Sequence, residues 1–165
     1  MPIIFFLLLI LLPNSFLGAQ TTVSRIEIIK HQRIMNIIRD DKILKSYKIS
    51  LGRVPEGAKQ EEGDKKTPEG RYFIKSKNPS SQFYLSLEIS YPNAEDKAQA
   101  KKLGKNPGNN IMIHGLPNSL RYVPEFAQRA QRWVDWTLGC IAVTNSEIKE
   151  IYQITQLGTP VIITP

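Results

Sequence analysis

Thr137-Leu138-Gly139-Cys140-Ile141-Ala142-Val143 sets the single cysteine of a 165-residue chain at the head of a short apolar run. Upstream, the run Ile111-Met112-Ile113 ends on His114, so two chemically capable residues fall at the edges of two predicted strands. A thiol attacks as thiolate and needs a base, and a histidine with its near-neutral pKa is the usual one. Gly139 allows a tight turn before the sulfur, which would aim the N–H groups of Gly139 and Cys140 at one point as an oxyanion hole. The opposing reading of Cys140 is a buried small hydrophobe, the commonest fate of a free cysteine.

Export tips that balance, because an odd thiol outside the cytoplasm is paired or used, and this chain offers no partner cysteine. Ile3 to Leu12 is an unbroken apolar stretch, Pro13-Asn14 interrupts it, and Leu17-Gly18-Ala19 ends on small residues. Residues 1–19 therefore read as a signal peptide cleaved after Ala19, which leaves 20–165 as one catalytic domain. The apolar stretch is shorter than the roughly 20 residues of a membrane span. No Lys or Arg precedes it, so an uncleaved anchor is the alternative, and a membrane is an expected partner only in that case. The formal charge of +7 suits an anionic surface such as wall polymer or lipid headgroups. Nucleic acid is not expected, since the lysines are scattered without a reading motif.

The first half of the mature chain alternates as a β-meander. Strands are expected at Ile26–Ile28, Arg33–Ile37 and Ile43–Ile49, with His31 in a solvated turn. Gly52 to Gly70 reads as a long charged surface loop, of the kind that often carries function. Strands resume at Gly70–Ile74, with Tyr72 and Ile74 on one face, and at Phe83–Ile89. Three helices follow from their caps: Asn93 to about Leu103, Pro124 to Trp133, and one after the capping box Thr144-Asn145-Ser146-Glu147 with Ile148, Ile151 and Tyr152 inward. A closing strand is expected at Val161–Ile163. Between the two chemical residues, Leu116 to Asp135 is too long for a turn. It is expected to project over the site as a flap carrying Tyr122, Phe126, Trp133 and Trp136. For Phe126 and Trp133 the alternative is packing of the second helix onto the sheet. Arg121 and Arg132 are candidates to meet a substrate carboxylate, or belong to a solvated helix face.

His114-Gly115, a spacer, and Thr137-Leu138-Gly139-Cys140-Ile141 together resemble the L,D-transpeptidase catalytic domain (YkuD type), which pairs a His-Gly element with Ser/Thr-x-Gly-Cys. Leu51-Gly52 and Glu62-Gly63-Asp64-Lys65-Lys66-Thr67-Pro68-Glu69-Gly70-Arg71-Tyr72 resemble the region upstream of that family's site, and the long spacer is similar to the branch with a helical insert. Leu138 stands where the family is often polar. The resemblance implies a mainly β, sandwich-like fold with short helices, located in the periplasm or cell envelope and serving peptidoglycan biosynthesis and cell shape. Cys140 would be the nucleophile on a tetrapeptide stem, releasing D-alanine and leaving a thioester for an amine acceptor. His114 would be proton donor and acceptor, and Gly139 a backbone oxyanion donor worth about 3 kcal/mol in comparable sites. Thr137 would support the histidine or the loop. Peptidoglycan stem peptides are the implied partners, with a wall-linked lipoprotein as another. The other readings are a murein amide hydrolase on the same scaffold, which would release such a lipoprotein, and a non-catalytic wall-binding module. No cofactor is implied, and two histidines and one cysteine at these separations match no zinc pattern.

Overall fold

A computed structural model describes residues 22–165. The expected signal peptide at residues 1–19 lies outside the described residues. Strand β1 (Arg25–Ile29) buries Ile26 and Ile28 on one face, as a period of two requires. It pairs antiparallel with β2 (Ile34–Arg39), Ile26 opposite Ile37 and Ile28 opposite Met35. The turn between them is a 3-10 segment (Lys30–Gln32) closed by Arg33 at φ 52°, so Arg33 leaves the strand expected for it. Asp40 and Asp41 both take positive φ, as a tight two-residue hairpin demands, and deliver β3 (Lys42–Lys48).

Strand β4 (Gly70–Ser81) runs past the expected end at Ile74. Its polar continuation holds because β5 (Tyr84–Ile89) pairs along it, with Lys75 and Ser76 both bonded to Glu88. Gly70–Phe73 instead pair with β8 (Pro160–Thr164), which lies parallel to β1 on its other side. With β6 (Met112–His114) and β7 (Ile141–Ala142), the sheet order is β3-β2-β1-β8-β4-β5-β6-β7. The sheet folds over until its ends meet: the Ser50 N–H donates to the Ala142 carbonyl and the Ala142 N–H to the Ser50 carbonyl, each at 2.9 Å. The architecture is thus mainly β and sandwich-like, as expected.

Ile28, Met35, Ile49, Leu87, Ile113 and Ile163 meet in the enclosed core. Truncating any one of the buried isoleucines to alanine costs about 2–5 kcal/mol in comparable sites. Helix α1 (Ala94–Lys102) starts at the reciprocal cap of Asn93 and Asp96, and α3 (Asn145–Ile154) at that of Thr144 and Glu147. Ile148 and Ile151 turn inward from α3 and join the core. Helix α2 (Glu125–Ala130) continues as a 3-10 turn to Trp133, close to the expected span. Among the described residues, no helix is long and apolar enough to cross a membrane.

Candidate active site

Strands β6 and β7 run parallel, with His114 beside Ala142. Cys140 precedes Ala142 by two residues, so alternation sends its side chain to the same face as His114. The loop entering β7 is held from several sides. Thr137 N–H donates to the Leu51 carbonyl and Arg53 N–H to the Thr137 carbonyl, both at 3.1 Å. Thr137 Oγ1 donates to the Cys140 carbonyl at 2.7 Å and accepts the Gly139 N–H at 3.1 Å. Thr137 therefore supports the loop rather than the histidine. In the resting site the Gly139 N–H is thus engaged by Thr137.

Glycine is needed here for two physical reasons. Gly139 sits at φ 132°, and a Cβ on it would come 2.6 Å from the Lys66 carbonyl oxygen. A Cβ on Gly52 would come 2.1 Å from the Lys65 carbonyl oxygen and 3.1 Å from Gly139 Cα. The segments around Gly52, Lys65 and Gly139 thus cross at backbone contact distance, and Gly52 N–H donates to Thr67 Oγ1 at 3.1 Å across the join. The charged loop is itself organised by Asp64, which accepts from Lys59 Nζ at 2.8 Å and from the Gln60 and Lys66 N–H groups at 2.8 and 3.0 Å. Burial pushes the Asp64 carboxyl up, but these donors outweigh it and hold it below its ordinary value.

His114 is only 3% exposed. Its Nδ1–H donates to the Gly115 carbonyl at 2.6 Å. A carbonyl can only accept, so Nδ1 carries the proton and Nε2 is left with its lone pair. The Phe83 ring lies 4.4 Å from the imidazole centroid and Trp136 stands edge-on at 5.7 Å. This dry surrounding depresses the imidazole pKa to about 4, against a smaller upward pull from the Gly115 bond. Burial likewise pushes the Cys140 thiol up, opposed by the Met112 backbone and the Lys59 charge. Both groups are therefore neutral at pH 7, and the thiol donates to the Asn110 carbonyl at 3.6 Å instead of standing as a thiolate beside an imidazolium.

Cys140 and His114 line one cleft of about 810 Å³, together with Phe83, Trp136, Arg53 and Lys65. Arg53 and Lys65 come from the charged loop that the sequence marks as functional, without singling them out. Phe83 and Asn110 carried no signal, because only the pairing of β5 with β6 brings Phe83 to the histidine. Among the described residues, no group of three or more His, Cys, Asp or Glu is placed to hold a metal ion.

The insert departs from both expectations. Of the four aromatics expected on it, only Trp136, which follows the insert, lines the cleft, while Tyr122, Phe126 and Trp133 are exposed to solvent. The physical reason is that α2 docks through polar side chains. Gln128 Nε2–H donates to the Val123 carbonyl at 2.8 Å and its Oε1 accepts the Asn145 N–H at 3.0 Å. Arg132 donates to Glu147 at 2.7 Å, so it serves the α3 cap and is not a free carboxylate receptor. Arg121 is exposed, with its guanidinium 5.5 Å from the Tyr122 ring centre.

A family model described as L,D-transpeptidase catalytic domain (YkuD) matches residues 23–163. The chain is 32% identical over 134 residues to "Putative L,D-transpeptidase YafK" of Escherichia coli K12, covering 78% of this chain and 45% of that protein. It therefore spans less than half the length of that relative. The fold is similar to the helical cell shape determining protein Pgp2 of Campylobacter jejuni, with TM-score 0.63 and 31% identity over 86% of this chain and 47% of that one. An L,D-transpeptidase of Mycobacterium smegmatis, at 12% identity and TM-score 0.54 over 85% of this chain and 58% of that one, shares the fold alone.

Proposed function

The chain belongs to the L,D-transpeptidase catalytic domain family, and from that premise we propose that it is a peptidoglycan L,D-transpeptidase whose nucleophile is Cys140. The observation that carries the reading is the fixed tautomer of His114, which leaves Nε2 as a base in the cleft that also holds the thiol.

Because both groups rest neutral, the thiol first leaves the Asn110 carbonyl, and its proton passes to His114 Nε2 as sulfur bonds to the stem-peptide carbonyl carbon. The oxyanion is met by the backbone N–H groups of Cys140 and Gly139, the latter on leaving Thr137 Oγ1. Collapse breaks the bond to D-alanine, whose amine takes the proton back from His114. That leaves a thioester and a neutral imidazole. An acceptor amine then attacks the thioester, yields its proton through His114 to the departing sulfur, and forms the new amide while restoring the thiol. Arg53 and Lys65 would pair with stem-peptide carboxylates at the cleft wall. The reading places the protein in the periplasm or cell envelope, after export on residues 1–19.

The exposed position of the insert favours one second reading, a murein amide hydrolase. The insert does not roof the cleft, so water has a route to the thioester, and a wall-linked lipoprotein would be a substrate. Mass spectrometry of products from purified disaccharide tetrapeptide tests the proposal. D-alanine release that depends on Cys140 is expected, and an intact tetrapeptide under all conditions would overturn it.

A further inference from the structure

Helix α2 and the 3-10 turn after it present an inverted amphipathic pattern. Three of their polar residues face the protein, through Gln128 to Asn145, Arg132 to Glu147, and Glu125 to Ser146. Their apolar residues face solvent: Phe126 is 78% exposed and Trp133 85%, flanked by Tyr122 at 90% and Val134 at 61%. Phe126, Ala130 and Trp133 recur at helical spacing, so the aromatics form one stripe. Large apolar groups gathered on one outward face signify an occupant, unlike single exposed apolar residues.

We propose that this stripe docks the protein on an anionic phospholipid bilayer. Three features select that occupant. Trp, Tyr and Phe are the side chains that settle at the boundary between headgroups and acyl chains. Arg121 stands exposed beside the stripe, and with the +7 charge of the chain it complements an anionic leaflet. The neighbouring acids are already engaged, Glu125 with Ser146 and Arg129, and Asp135 with Arg33. Finally, rings left this exposed project from the surface. A projecting ring suits insertion into a soft interface. Trp133 lies three residues from Trp136, so docking would hold the bilayer close to one wall of the cleft.

The test uses the whole chain carrying Trp136→Phe, which leaves Trp133 as the sole tryptophan, with vesicles of phosphatidylethanolamine and phosphatidylglycerol containing brominated acyl chains. Quenching of Trp133 by the bromolipid is expected, and it reports this side chain even if the apolar stretch at Ile3–Leu12 also binds lipid. On the native background, Phe126→Ser with Trp133→Ser should weaken sedimentation with the same vesicles about tenfold. That variant should leave D-alanine release from a soluble disaccharide tetrapeptide unchanged. Vesicle binding with Trp133 unquenched would overturn the proposal. So would equal binding to phosphatidylcholine vesicles. Protection of Trp133 from acrylamide by peptide-free glycan strands but not by vesicles would assign the stripe to glycan. A doubling of mass in solution that the double variant abolishes would assign it to a second copy.

Discussion

Arg33 holds Asp135 through two guanidinium nitrogens, Nε at 3.0 Å and Nη2 at 2.8 Å from the same carboxylate oxygen. Oδ1 of Asp135 also accepts the Leu51 N–H at 2.9 Å. One carboxylate therefore ties the turn after β1, the Leu51-Gly52 segment that follows β3, and the chain entering Trp136-Thr137. Asp135→Ala is expected to cost about 2 kcal/mol of stability, the scale of a charge-assisted bond lost together with a stranded N–H. It should also slow D-alanine release, because Trp136 and Thr137 lose their anchor. Urea unfolding and product assays would check both. Loss of stability with full activity would show that the tether does not position the site.

Much of this site was legible because its signals are local. His114 and Cys140 end and begin short apolar runs, and the helices near the site carry their capping residues in sequence. What could not be read depends on partners far along the chain. Polar residues after Ile74 stay in β4 only because β5 pairs with them, and Arg33 takes positive φ where it reaches Asp135. The aromatics of the insert looked like core or flap because their spacing is helical, yet Gln128 and Arg132 turn that helix the other way. The engagement of Gly139 N–H by Thr137 was likewise invisible, since it depends on how tightly the loop closes.

Cys140→Ala is expected to abolish turnover and leave a folded protein, since the change deletes one sulfur from a half-buried position. Iodoacetamide should modify native Cys140 slowly at neutral pH and faster as pH rises, because burial holds the thiol pKa up. A fast, pH-independent reaction near neutrality would show a preformed thiolate and overturn the neutral resting pair.

His114 makes stability depend on acidity. Its folded pKa of about 4 lies below the 6.5 of the free side chain, so the unfolded chain binds the extra proton between those values. Stability is then fully present above pH 6.5 and falls as pH drops toward 4, by about 3 kcal/mol for this group. Urea titrations at neutral pH and near pH 4.5 should show a smaller loss in His114→Gln. Equal losses in the two proteins would mean that His114 titrates normally.

Gly52→Ala should be severe although the residue carries no chemistry. A methyl placed 2.1 Å from the Lys65 carbonyl oxygen forces backbone away from backbone, with Gly139 behind it. Overpacking of this kind costs about 1–3 kcal/mol or more. The shift should fall on the Cys140 loop, lowering D-alanine release beyond what reduced folding explains. Gly158→Ala, in the turn between α3 and β8 with open space around the Cβ position but positive φ, is the control. It should lose about 1 kcal/mol through backbone strain and keep its activity. Comparable activity losses in both variants would remove the crossing from the catalytic argument.

The thioester on Cys140 is expected to partition to an amine in preference to water, and the support comes from the walls next to His114 rather than from the insert. Phe83 and Trp136 keep the imidazole dry, and the same surroundings lower the pKa of an ammonium that enters, so a larger fraction of the acceptor meets the sulfur-bound carbonyl as free amine than in water. A neutral amine is a far better nucleophile toward a thioester than water, and neutral His114 can take its proton. Water attack needs only the neutral imidazole, whereas amine attack also needs a deprotonated acceptor. The ratio of exchanged product to tripeptide should therefore rise with pH, by up to about tenfold per unit while the bound ammonium remains the resting form. Incubating disaccharide tetrapeptide with a diamino acid across a pH series, and weighing the products, measures that ratio. Tripeptide as the sole product at every pH and at high acceptor concentration would reject the transferase and leave the hydrolase, with the uncovered cleft supplying the water.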